Sequence, residues 1–332
     1  MTSCRACQSR HLYLFLPLGA HPLANGFLRE DQLAEAELLF PLDVYVCLDC
    51  GLIQISDNVP PNFFRQYVYV PSVSRVMQKH FAGLADGLVS ICSLSAKSLT
   101  VDIGCNDGLF LDCLKKRGVR TLGIDPATNI VQMAEEKGLE VINEYFCPKI
   151  AAEVRAKYGP AAVVVTTNTY HHIGDLDSFT EGVTILLGDD GVFMVEVPYA
   201  LEIVKLNQFD GIYHEHVSQF TVKSLVDHFR RFGMEIFRID ALEVHGGSIR
   251  VFARKARSSV SISSAVAEWV AEEEAHGLFA ASTYDAFRDR VEKNKEALRG
   301  LLQSLKAQGK KVVGYGASAR GNTLLNYYRI GT

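Results

Sequence analysis

No run of 18 consecutive apolar residues occurs in the chain, so hydropathy gives no membrane span. Charge of neither sign dominates: 34 Lys and Arg stand against 38 Asp and Glu, a net of −4, which leaves no basic footprint for nucleic acid. The N-terminus, Met1-Thr2-Ser3-Cys4-Arg5, lacks an apolar h-region. The expectation is therefore a chain without a signal peptide, working in the cytoplasm. Internal repeats and low-complexity tracts are absent as well.

What is present is length and hydrophobicity: 332 residues, 48% of them hydrophobic, enough for two or three domains with sizeable cores. There are also eight cysteines. In a reducing compartment, paired cysteines read as metal ligands before disulfides. Cys4-Arg5-Ala6-Cys7 and Cys47-Leu48-Asp49-Cys50 are two C-x-x-C knuckles about 40 residues apart. Four thiolates suit a closed, tetrahedral, structural zinc site. Metal ligation would supply folding energy that a module of residues 1–60 lacks by itself. The long spacing between knuckles implies that 18–39 loops out.

The rest of the chain is organised around Val101-Asp102-Ile103-Gly104-Cys105-Asn106-Asp107-Gly108-Leu109-Phe110. An apolar run enters a Gly/Asn/Asp turn and a helical pattern leaves it, so backbone N–H groups and a helix N-terminus face a ligand. The next apolar run ends in Asp125, an acid suited to a ribose diol. The loop has neither the third glycine of a dinucleotide fingerprint nor the Gly-Lys-Ser/Thr of a P-loop. An acid followed by G-x-x-x-G resembles the first motif of class I S-adenosylmethionine-dependent methyltransferases. Strand and helix patterns then alternate through 98–103, 109–116, 120–124, 130–137, 140–142, 149–157 and 161–166, which argues a parallel sheet covered on both faces. Asp102, Asp125, Asn143-Glu144 and 166–172 all fall at carboxyl ends of strands, where such sheets bind ligands.

Other segments carry chemistry with a plainer reading beside it. Tyr67 to Ser74 is either a capped helix start with aromatic packing or a lid over the site, with Ser72 or Ser74 as cap. His171-His172 ends the fourth strand; adjacent residues on extended chain face opposite ways, so one histidine is expected to face the site. Tyr213-His214-Glu215-His216 is a dense set of proton-transfer groups. His suits a general base and Glu can fix its tautomer. Neither H-E-x-x-H nor another helical zinc spacing is present there. His245-Gly246-Gly247-Ser248, with Arg250, either meets an anion or makes a plain hairpin turn. From 257 to about 308 the pattern is helical. Lys311-Val312-Val313 then opens a second strand–loop–helix, Gly314 to Thr323, a candidate phosphate cradle.

Taken together, nearly the whole chain resembles the sugar C-methyltransferases of deoxysugar biosynthesis, which act on nucleotide-linked keto-sugars. The resemblance implies an α/β fold: a class I, Rossmann-like sheet with an N-terminal zinc-binding module and a partial C-terminal α/β nucleotide-binding domain. The expected division is 1–60, 61–256 and 257–332, the last cut short after one helix. The resemblance assigns Cys4, Cys7, Cys47 and Cys50 to zinc, and Asp102, Gly104, Asn106, Gly108, Asp125 and Asn168 to S-adenosylmethionine. It assigns catalysis to His216, Glu215, Tyr213, His172 and Tyr67. Tyr69, Ser72, His245, Ser248, Arg250, Tyr315, Arg320 and Asn322 are expected at the sugar nucleotide. Arg320 stands where the family usually has Lys.

The implied reaction is methylation of the carbon alpha to a ketone on an NDP-linked, for example dTDP-linked, deoxysugar. His216, oriented by Glu215, would take the proton, and Tyr213 and His172 would stabilise the enolate oxygen. The competing readings are O- or N-methylation of another small molecule, and a non-catalytic S-adenosylmethionine-binding protein. Nucleic acid and membrane are not expected as partners.

Overall fold

The computed structural model describes residues 2–56, 59–60, 62–256 and 264–331. At its centre is β4 (Leu99–Ile103), buried at all five positions. A strand buried on both faces reads as continuous hydrophobicity rather than alternation, and this one belongs inside a parallel sheet. Its neighbours are β5 (Arg120–Ile124) and β7 (Ala161–Thr167), both parallel to it. On one side β6 (Val141–Ile142) extends the sheet; on the other come β8 (Leu187–Pro198), β11 (Ser248–Lys255) and β10 (Met234–Leu242). The order is β10-β11-β8-β7-β4-β5-β6, with β11 antiparallel to both of its neighbours.

Helices α1 (Arg75–Ile91), α2 (Leu109–Lys115), α3 (Thr128–Glu136), α4 (Pro148–Tyr158), α5 (Leu176–Leu186), α6 (Ala200–Lys205) and α7 (Val222–Arg231) connect or cover the strands. Their starts are encoded locally. Ser74 accepts from Met77 N, Asp175 from Ser178 N and Thr221 from Ser224 N, so α1, α5 and α7 each start on a side-chain cap. The helix after the Tyr67–Ser74 segment is therefore capped by Ser74, not Ser72.

A second, antiparallel sheet holds β1 (Leu12–His21), β2 (Phe40–Cys47), β3 (Ile53–Ile55) and β9 (Ser218–Gln219). The last of these strands comes from the far side of the central sheet's sequence. Its two residues pair with β3 as Ile53↔Gln219 and Gln54↔Ser218. β1 runs through Leu18 to His21, so the looped-out segment is 22–39 and not 18–39. Leu16, Leu18 and His21 are buried, and β1 stays paired with β2 out to His21↔Phe40 across two irregularities in register.

The C-terminal part is helical: α8 (Ser264–Ala275), α9 (Ala281–Ala307) and α10 (Ala319–Tyr328). The start of the expected helical region, 257–263, lies outside the described residues. Phe15 of β1 packs on Tyr284 and Phe287 of α9, with ring centroids 4.9 and 5.9 Å apart. Tyr328 of α10 stacks on Phe209 at 5.3 Å. The strand expected at 311–313 pairs with no described strand, and Val312 and Val313 are exposed. Two valines without a ladder partner do not hold strand geometry. Among the described residues no helix is long and apolar enough to cross a membrane.

Glu273 joins the helical part to the sheet domain. Fully buried on α8, it accepts from the first two N–H groups of α7, Val222 (2.5 Å) and Lys223 (3.0 Å). Glu273→Ala leaves both donors without an acceptor. The expected cost is about 1–3 kcal/mol, read as a lower apparent midpoint in differential scanning calorimetry with near-normal far-UV dichroism.

Candidate active site

One cavity of about 1040 Å³ opens at the carboxyl ends of β4, β5 and β7. Its floor is the loop after β4. Gly104 has φ +76°, and a Cβ there would lie 2.1 Å from Thr169 Oγ1, so no side chain is accommodated. Asp102 lines the cavity, and its Oδ1 is buried with no partner among the described residues. Burial, with Asp125 adding, pushes its carboxyl up to about 8. Asp125 accepts from Asn106 N (2.9 Å) through Oδ2 and from Ala127 N (2.8 Å) through Oδ1. Each oxygen keeps a lone pair, which suits a pair of hydroxyls. Burial raises Asp125 against those two bonds. Asn106 and Asn168 both sit at positive φ, and both line the cavity. Gly108 does not line it. A Cβ there would meet Leu139 at 2.3 Å, so this glycine serves packing of the loop.

The Tyr67 segment closes one wall as a strap. Tyr67 N donates to Asn129 Oδ1 (3.0 Å), Asn129 Nδ2 donates to Tyr67 O (2.8 Å) and Asn106 Nδ2 donates to Tyr69 O (2.9 Å). Tyr67 and Tyr69 line the cavity, and Phe64 meets His172 edge-on at 5.6 Å. Ser72 lies outside the lining; its carbonyl accepts from Gln78 Nε2 at 2.7 Å.

The opposite wall is built of histidines. A turn in which His216 N donates to Tyr213 O (2.8 Å) puts these two side chains together. The Tyr213 hydroxyl donates to His216 Nε2 at 2.6 Å, and His216 Nδ1 donates to Gly211 O at 2.9 Å. The carbonyl fixes the tautomer and leaves Nε2 as the base nitrogen. Burial, then His172, keeps His216 well below the usual imidazole range, so it stays neutral. His172 is pushed down to about 4 by burial, and its Nδ1 has no partner among the described residues. Residues 170–172 form a 3-10 turn rather than extended chain. That turn sends His171 and His172 the same way, with rings 4.3 Å apart, and both line the cavity. His171, His172 and His216 have ligand atoms within 4.8 Å of one another, but both nitrogens of His216 are already bonded.

Glu215 does not touch His216, contrary to the expected pairing. It turns toward the second sheet, where Asn25 Nδ2 donates to Oε1 (2.8 Å) and Oε2 (2.9 Å). It also shares a hydrogen bond with the Tyr67 hydroxyl. Burial pushes Glu215 up to about 7, against the bonds from Asn25 and Tyr67. Asn25 was not visible as a site residue in the sequence, where it is a lone amide in a loop far from Glu215.

The remaining expected positions divide. His245 and Arg320 line the cavity. Arg320 forms a two-point ion pair with Asp210 at 2.9 and 2.8 Å. Ser248 Oγ donates to Val244 O (3.0 Å) and closes its own turn. Arg250 is spent on buried Glu196, at 3.0 and 2.7 Å, which His80 also bonds at 2.7 Å. Burial pushes Glu196 up, but His80 and Arg250 outweigh it and the carboxylate sits below its usual range. Tyr315 is fully exposed and outside the cavity. Asn322 donates to Pro22 O at 3.4 Å and bonds Asn326, also outside the lining.

The four knuckle sulfurs form a separate cluster. Cys4–Cys50 and Cys7–Cys47 are 3.6 and 3.5 Å apart, and all four lie within 4.8 Å of one another. A tetrahedron with metal–sulfur bonds of about 2.3 Å has edges of about 3.8 Å, so the set fits zinc. The knuckles are docked on α7: Ala6 O accepts from Arg231 Nη1 (2.8 Å), and Cys50 O from Thr221 Oγ1 (2.6 Å).

The strand order, the acid-and-glycine loop after the first strand of the sheet and the acid after the second define a class I S-adenosylmethionine-dependent methyltransferase, an enzyme fold that binds this methyl donor. Family models match along the chain: "Putative zinc binding domain" over 4–64, "Methyltransferase domain" over 73–239 and "C-methyltransferase C-terminal domain" over 243–332. C-methyltransferase NovU of Streptomyces niveus is 38% identical over 97% of this chain and 77% of that protein. The chain belongs to this family of C-methyltransferases. Among solved structures, magnesium protoporphyrin IX methyltransferase (ChlM) of Synechocystis PCC 6803 aligns at 16% identity over 59% of this chain and 92% of that one, TM-score 0.43. A methyltransferase from Anabaena variabilis aligns at 13% over 60% and 100%, TM-score 0.43.

Purified protein is expected to carry one zinc per chain by plasma mass spectrometry. Cys50→Ser should lose the metal and, with it, cooperative unfolding of the second sheet, because closed sites of this kind contribute directly to folding.

Proposed function

We propose that the chain methylates the carbon alpha to a ketone on a nucleotide-linked deoxysugar. The observation that carries this reading is a base nitrogen, His216 Nε2, held in one cavity with the methyl-donor loop. A carbon acceptor needs a base, because its C–H must ionise before it attacks. Asp102, Gly104, Asn106, Asp125 and Asn168 would hold S-adenosylmethionine, the unpartnered Asp102 carboxylate suiting an ammonium and Asp125 a diol. When bound, that group supplies an electrophilic methyl.

The other steps belong to the chain's own residues. The ketone oxygen displaces His216 as acceptor of the Tyr213 hydroxyl. That frees Nε2 to take the alpha proton. Tyr67, hydrogen-bonded to a Glu215 carboxyl that is partly protonated near neutrality, is the second donor to the enolate oxygen. His172 Nδ1, buried and unpartnered, marks a place for a sugar hydroxyl. The strap and the buried histidine wall exclude water and fix orientation.

Arg320 and the N-terminus of α10 at the cavity edge support a diphosphate-bearing substrate. His245 and Tyr69 line the space between. Cys4, Cys7, Cys47 and Cys50 hold a structural zinc outside the reaction. The thiolate set goes with a reducing, cytoplasmic setting. We assign 1–60 to the zinc module, 61–256 to the methyltransferase domain and 257–332 to the C-terminal part.

His216→Asn should cut turnover of a dTDP-linked keto-sugar by about 10²–10⁴-fold and abolish exchange of its alpha proton in deuterium oxide. Calorimetric affinity for S-adenosylhomocysteine should stay unchanged. Near-normal exchange in that variant would end the assignment. Glu215→Gln, which keeps a donor for Tyr67, should retain measurable turnover. It should also flatten the fall in kcat/KM that the wild type shows as pH rises through about 7.

A further inference from the structure

The residues around Glu215 come from two modules. Its backbone lies in the turn between the 3-10 turn at Phe209–Gly211 and β9, but its carboxylate is received by the loop that follows β1. Asn25 sits in a tight turn there, closed by Gly26 N donating to Leu23 O at 3.0 Å. Its one amide nitrogen spans both carboxylate oxygens, and its main-chain N–H bonds the same carboxylate. Both flanks of Glu215 are tied to the same sheet. His214 Nε2 bonds Phe40 O and Pro41 O, each at 3.1 Å, and Ser218-Gln219 pair with β3. Asn25 also lines the reaction cavity, as does Tyr67, which Glu215 bonds on its other side.

We infer that Asn25 is a positioning residue supplied by the zinc-binding module: its carboxamide clamps Glu215 and thereby sets the Tyr67 hydroxyl against the substrate. This rests on the reading of Tyr67 and Glu215 as donors to the ketone oxygen. The module that binds zinc thus contributes to the reaction without the metal touching it. The consequence is electrostatic as well as geometric. Two bonds from Asn25 Nδ2 favour the charged form of Glu215, so losing them leaves burial less opposed. The titratable groups that face or adjoin Glu215 are Tyr67 on the strap, Tyr213 on its own segment and His172, which bonds the Glu215 backbone. Tyr67 and Tyr213 are raised and His172 is lowered, so none of them changes charge near neutrality.

The test is carboxyl NMR of the full, zinc-loaded chain labelled with δ-¹³C glutamate, the Glu215 signal being assigned by its loss in Glu215→Gln. In Asn25→Ala the Glu215 midpoint is expected to move up by about one pH unit. In Asn25→Asp, which keeps the shape but adds a like charge, it should move further up. Zinc content and affinity for S-adenosylhomocysteine should stay within twofold of wild type in both. With dTDP-4-keto-6-deoxyglucose as probe, kcat should fall by about 10–100-fold with KM little changed. A Glu215 midpoint in Asn25→Ala that coincides with the wild type overturns the inference. So does a loss of S-adenosylhomocysteine affinity parallel to any loss of kcat, which marks a general structural defect. The titration needs no substrate. A shifted midpoint in a wild-type background that turns over no keto-sugar therefore counts against the functional reading and leaves the clamp standing.

Discussion

Two main-chain pairings at β9 hold the molecule's chemistry in place. A strand of two residues is a weak element by itself, yet this one is the fourth strand of the zinc module's sheet and directly follows Tyr213–His216. On its other side Phe220 bridges to Tyr199, at the end of β8, and its carbonyl accepts from Ala200 N at 2.9 Å. One stretch of chain is therefore stitched into both modules. The position of β3, and so of β9, depends on knuckles that a four-sulfur site closes. His228 and Arg231 on α7 take the Ala6 carbonyl between the first pair of sulfurs. A metal remote from the reaction is thus mechanically upstream of it.

The second constraint is desolvation. Burial acts on the central histidines and acids of the site in the direction that removes charge. His171, His172 and His216 are all pushed down, and Asp102, Asp125 and Glu215 are all pushed up. For the histidines this is what a base requires: a lone pair that survives at neutral pH, with the tautomer chosen by the Gly211 carbonyl. For Glu215 it gives a carboxyl that still carries its proton for part of the population near pH 7. A site in which the histidines stay unprotonated while Glu215 keeps part of its proton is poised for proton transfer in both directions.

How far the sequence shows this depends on the range of the interaction. The knuckles, the acid and glycines after β4, and Asp125 are local patterns whose physical meaning does not need the rest of the chain. The parallel part of the central sheet follows from the alternation of strand and helix. Contacts made across long separations left no trace. Asn25 and Glu215 are 190 positions apart, and nothing in Leu23-Ala24-Asn25-Gly26 announces a carboxylate partner. Glu215 next to His216 suggested an orienting pair, but adjacent residues on a tight turn diverge, and Tyr213, three residues back, is the one that meets the imidazole. Likewise Arg250 reads as an anion ligand until Glu196, opposite it in the β8–β11 register, is seen to occupy it. Residues 311–313 show the converse case, a lysine and two valines whose strand character needs a neighbour that the described chain does not place beside them.

The two acids of the methyl-donor loop carry a final electrostatic argument. Asp102 and Asp125 are both buried, and Asp125 adds to the cost of ionising Asp102, whose carboxyl is lifted to about 8. Asp125 is held by two main-chain N–H groups, whereas Asp102 Oδ1 has no partner among the described residues, and a cation beside it would relieve its burial penalty. The ammonium group of the methyl donor would be such a cation, so the charge that the resting cavity lacks beside Asp102 is one that the donor itself would bring.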